Sequence, residues 1–195
     1  ARVDRNSEDT STYTGVEASV RVPIARGSLN GSWNMERTVD VTCALDDNPN
    51  STSGGRFCDQ RKFDIPFTHE FKVSGSYPIR NWVDVGVVFQ GLSGNARDIT
   101  WNVPSSLFPG GRTNSETIQL NKPGTSYLTR FNQVDVNFRK NFRSGRKQYS
   151  LQLDLFNALN NNVIDGITNN IGASLGTVSS VLVGRMPRIV FQVKW

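Results

Sequence analysis

Apolar and polar residues alternate one for one along much of this chain, the period of strands that bury or expose one apolar face. From Ile65 the odd positions read Ile65, Phe67, His69, Phe71, Val73, Gly75, Tyr77 and Ile79. The even positions read Pro66, Thr68, Glu70, Lys72, Ser74, Ser76 and Pro78. After a reversal at Arg80-Asn81, Val83, Val85, Val87 and Phe89 alternate with Asp84, Gly86 and Gln90. The same grammar recurs at Val16 to Val22, Leu29 to Met35, Val134 to Phe138, Tyr149 to Leu155 and Ile189 to Trp195. No segment has a helical period. The pattern predicts seven strands, at 12–24, 28–43, 65–78, 82–92, 126–142, 147–158 and 184–195. Most are longer than the ~5–6 residues usual in soluble strands, and they reach the ~9–11 that a tilted strand needs to cross a bilayer.

The connections alternate in length. Those at 25–27, 79–81 and 143–146 are tight, whereas 44–64, 93–125 and 159–183 are long and rich in Gly, Asn, Ser, Thr and Pro. Short turns at one end and long loops at the other are the asymmetry of outer-membrane barrels. The 93–125 loop has room for a small hairpin with Thr117-Ile118-Gln119-Leu120 as one arm. The fold expected is therefore all-β, an antiparallel transmembrane β-barrel. An odd count of strands conflicts with the even counts of bacterial barrels, so earlier strands are expected outside residues 1–195. With short turns facing the periplasm, the last strand runs inward and Trp195 ends at that interface, where Trp is favoured.

Composition changes this picture little. Twenty-two Lys and Arg against 17 Asp and Glu leave a mild +5, spread along the chain. The densest basic run, Arg139 to Lys147, reads as a solvated turn between strands, with no accompanying nucleic-acid motif. No 18-residue apolar run is present, which excludes a transmembrane helix but leaves a barrel open. Cys43 and Cys58 flank a polar, turn-forming stretch and are expected to form a disulfide in an oxidising compartment. His69 is the sole histidine, placed on the lipid-facing side of its strand, and nucleophile, phosphate-loop and dinucleotide motifs are missing. An enzyme is not expected, nor a cofactor. Asp46, Asp47, Asn48 and Asn50 supply oxygen ligands for Ca²⁺, but their spacing is not that of an EF-hand, and they read as a solvated turn.

Two stretches carry a family resemblance. Asp154-Leu155-Phe156-Asn157-Ala158-Leu159-Asn160 resembles the penultimate-strand motif of TonB-dependent transporters, and Gly184-Arg185-Met186-Pro187-Arg188 through Trp195 resembles their closing strand. The stretches His69 to Pro78 and Asp47 to Asn50 are similar to the Oar-like, carboxypeptidase-regulatory-like branch. The resemblance implies the last third of a barrel of about 22 strands, with the plug, the TonB box and the earlier strands lying elsewhere. It implies a bacterial outer membrane, contact with its lipid, recognition of the terminal aromatic by the barrel-assembly machinery, and energised uptake through the TonB complex. In the closing strand Ile189, Phe191, Val193 and Trp195 alternate with Arg188, Val190, Gln192 and Lys194.

Lumen-facing polar residues are then Glu70, Lys72, Asp84, Gln90, Asp135, Asn137, Gln152 and Asp154. Trp101, Phe108 and Tyr127, set among Asn, Ser and Gly in long loops, are candidates for capturing an extracellular ligand. The competing readings are a secreted or surface-attached β-sandwich that binds glycans or proteins, and a small autonomous barrel.

Overall fold

The computed structural model describes residues 9–43, 55–80, 82–108 and 115–195. Its strands are β1 (Thr10–Ile24), β2 (Gly27–Val41), β3 (Thr68–Ile79), β4 (Val83–Leu92), β5 (Thr100–Val103), β6 (Glu116–Gln119), β7 (Phe131–Ser144), β8 (Lys147–Phe156), β9 (Ile164–Ile167), β10 (Val178–Val181) and β11 (Met186–Lys194). The architecture is all-β and every strand ladder is antiparallel. Seven strands form one sheet in the order β1-β2-β3-β4-β7-β8-β11, and β5–β6 and β9–β10 form separate two-stranded hairpins.

The seven strands of the sheet are those expected from the alternation, with shifted ends. β3 starts at Thr68 rather than 65, because Asp59 caps a 3-10 turn at Gln60–Lys62 and the chain must straighten after it. β7 starts at Phe131 rather than 126, because Tyr127 bridges to Ala96 across the base of the preceding loop. The β5–β6 hairpin takes the place expected for one, and β9–β10 is an additional pair.

Short connections close the hairpins at one end. β1 and β2 are joined by Ala25-Arg26, with Ala25 at φ +45°. A side chain at Gly27 would run into the Ser76 carbonyl, so glycine is required where this turn meets β3. β7 and β8 are joined by Gly145-Arg146, with Gly145 at φ +60°, the left-handed geometry that tight hairpins need.

Register carries the alternation across the whole sheet. One row reads Val22, Leu29, Gly75, Val87, Val136, Leu155, Pro187, each residue opposite the next. The adjacent row, on the other face, reads Pro23, Ser28, Ser76, Gly86, Asn137, Asp154, Arg188. The sheet therefore has one apolar and one polar face.

The apolar face is bare. Val20, Phe71, Val87, Phe138, Leu153, Ile189 and Phe191 are all exposed, Ile189 to 73%. Among the described residues the buried apolar side chains are Val41, Val103 and Val163, none of them in the middle of the sheet. The sheet does not close on itself, and β1 and β11 are its two edges.

Candidate functional site: the polar face and the loop layer

On the polar face, β7, β8 and β11 hold a chain of side-chain hydrogen bonds. Arg139 donates through Nε and Nη2 to Gln152 Oε1, at 3.0 and 2.7 Å. Gln152 Nε2 donates to Asp154 Oδ1 at 2.6 Å. Arg188 closes the chain through Nε and Nη2, both on Asp154 Oδ2, at 2.9 and 2.8 Å. Asp154 is 5% exposed, so the pairing answers the cost of burying its charge. The arginine lies over the Phe156 ring, 5.0 Å from its centre.

Just beyond this network, β8 ends in a turn that the asparagines build. Asn157 and Asn160 both adopt the left-handed conformation, at φ +47° and +54°, which Asn tolerates better than most side chains. Asn157 is 2% exposed. Its Nδ2 donates to the carbonyls of Asn161 and Val183, and its Oδ1 accepts from the Asn161 amide. Its own amide donates to Asp135 Oδ1 on β7, and Asn160 Oδ1 accepts from the Arg185 amide. The stretch Asp154 to Asn160 thus ties the long-loop end of β8 to β7 and to the entry into β11.

The long loops form a connected layer at that end. Arg97 Nε donates to Asn169 Oδ1, Asn95 Nδ2 to the Asp165 carbonyl, and Thr100 bridges to Asn170. The 93–130 loop and the 157–185 loop are thereby joined. Between them lies a cavity of about 340 Å³, lined by Leu92, Asn95, Phe131, Val163, Asp165 and Leu182 among others. Arg130 braces the layer against the sheet, donating from Nη2 to the carbonyls of His69 and Gly91.

The Cys43–Cys58 disulfide is present. It fixes the end of β2 against the turn at Gln60–Lys62, where the Thr42 amide donates to the Cys58 carbonyl at 2.8 Å. Asp59 accepts from both Nε and Nη2 of Arg61, at 2.8 and 3.0 Å. That pairing holds its carboxyl well below the usual carboxylate range, at about 2.

The other expected site residues fall as follows. Glu70, Lys72, Asp84, Gln90, Asp135, Asn137, Gln152 and Asp154 share the polar face, and His69 is on the apolar one. There Trp33 Nε1 donates to His69 Nδ1 at 3.3 Å, with the two rings stacked. Trp101 sits on β5 opposite Ile118, Phe108 follows the turn Ser105–Leu107, and Tyr127 pairs with Ala96. These three do not line the cavity of the loop layer. Burial pushes the Tyr127 phenol up, and the charge of Asp98 adds to it. Asp46, Asp47, Asn48 and Asn50 lie outside the described residues.

Comparisons with protein-family models, curated proteins and solved structures find no significant match. Sequence reasoning found the polar row but missed Asn157 as a structural hub. Its partners Asn161 and Val183 lie in a loop whose course no alternation predicts. A signal was nonetheless available, since several Asn residues close behind an alternating strand favour a left-handed turn.

Proposed function

We propose that this chain is a sector of an outer-membrane β-barrel, the C-terminal part of a TonB-dependent receptor that takes up an extracellular ligand. One observation carries the reading. A seven-stranded sheet leaves its apolar face bare from edge to edge, and no second layer of described residues covers it. In water such a face is an aggregation surface. In a bilayer it needs no cover, and the polar face turns to a lumen. The strands support this, since β1 and β2 each have 15 residues. So do the two open edges, because backbone groups in hydrocarbon demand a ring of paired strands. The transporter assignment rests on the stretches Asp154 to Asn160 and Gly184 to Trp195, which resemble the last two strands of that family. The ligand would meet the loop layer first, then the polar face.

The membrane part is tested by purification with and without detergent. The reading expects a monodisperse species in detergent and aggregation in plain buffer. A monodisperse, folded chain in plain buffer overturns it and favours the β-sandwich. The transport part is tested on the polypeptide in its native cell, where uptake should stop when the proton gradient is dissipated.

A further inference from the structure

The apolar face has a charge rule. Its basic side chains in the ladders are Arg37, His69, Lys140 and Lys147, and no side-chain carboxylate lies on it there. The two lysines lie at the short-turn end, Lys140 opposite Leu151 and Lys147 opposite Ser144. There the face becomes aromatic. Phe142 stacks on Tyr149 at 5.2 Å and Tyr149 on Phe191 at 6.2 Å, and Lys140 Nζ stands 5.2 Å from the centre of the Trp82 ring. The turns at this end add Arg26, Arg80 and Arg146, while Arg143 and Asp84 lie on the polar face.

We infer that this rim binds the phosphate-bearing headgroups of anionic phospholipids, with Lys140 and Lys147 as the cationic contacts and Trp82 setting their depth. The inference rests on the membrane reading above and names the lipid class that reading leaves open. An ammonium on an apolar face is stable only where its stem lies on hydrocarbon and its head reaches the headgroup layer. A Trp ring beside it belongs at the same depth. A rim whose apolar face carries cationic side chains and no acidic one answers negative headgroups and lacks the mixed side-chain charge that would suit zwitterionic ones.

The experiment is co-flotation of the full chain, diluted from detergent, with vesicles of phosphatidylcholine alone and of an equal mixture with phosphatidylglycerol. The expected result is tighter association with the mixture, roughly fivefold weaker for each lysine removed in K140Q and K147Q and restored in K140R/K147R. The polar-face variant R143Q/K194Q should keep the preference. Equal association with both vesicles overturns the headgroup site and leaves the membrane reading standing. Association with neither overturns both. A loss in R143Q/K194Q as large as in K140Q/K147Q overturns the assignment to the apolar face.

Discussion

The two faces of the sheet are built from the same strands and obey opposite rules. On the polar face, charged groups are satisfied by one another, as in the chain from Arg139 through Gln152 and Asp154 to Arg188. On the apolar face side chains make few polar contacts, and its residues gain only what the surroundings offer. A Val, Leu or Phe left half-exposed forgoes on the order of 1 kcal/mol relative to full burial. The polar face therefore satisfies its charges internally, while the apolar face is left uncovered by the described residues. One face is a structure, and the other is a demand on the environment.

The sharpest way to break that contrast is to place a charge at mid-height on each face. Val87→Arg, in the central apolar row, should destabilise the chain folded in a bilayer by about 2–4 kcal/mol. Ser74→Arg, on the polar face beside the open space bounded by Asn30 and Gln90, should cost far less. Urea unfolding in lipid vesicles measures both. A neutral Val87→Arg would mean that this face meets water.

A smaller effect is expected at the turn after β8. Asn157→Ala removes both side-chain donations and the acceptor for the Asn161 amide from a buried site, at a cost of about 2 kcal/mol. Asn157→Gly, which keeps the left-handed geometry but not the bonds, should recover little. Full recovery would show that backbone conformation alone matters there.

Next comes Asp154→Ala. The Arg188 side chain is 58% exposed, so water can take over its charge, and the loss should be about 1 kcal/mol. A loss several times larger would mean that the polar face is drier than its exposure indicates.

The smallest effect is a titration. Because the folded-state pKa of Asp59 is depressed, its contribution is intact above the usual carboxylate value near 4 and fades as pH falls through about 2. Carboxyl carbon shifts followed by NMR should give a midpoint near 2. A midpoint near 4 would remove the pairing with Arg61.

Alternation made the sheet legible because a period of two is written into every long strand, and register then follows from keeping like faces together. The tight turns were legible from Arg26-Gly27 and Ser144-Gly145. The β9–β10 hairpin was not, since Ile164–Ile167 and Val178–Val181 are four residues each, too short to establish a period. At the site, Glu70, Asp84 and Asp154 could be assigned to one face by parity. The network around Asp154 could not, because Arg188 and Asp154 meet only through a pairing 34 residues apart. Trp101, Phe108 and Tyr127 stand out by composition alone, which says nothing about convergence; the fold sets them on β5, after the turn Ser105–Leu107 and at the bridge to Ala96.

The exposed flank of β1 has a consequence for whatever chain lies beside it. A strand laid antiparallel there must place apolar residues opposite Val16, Ala18, Val20 and Val22, and hydrophilic ones opposite Glu17, Ser19 and Arg21. A slip of a single residue would invert every one of those matches. The edge is thus a template with a phase, able to reject a neighbour whose rhythm is out of step before any side chain has packed.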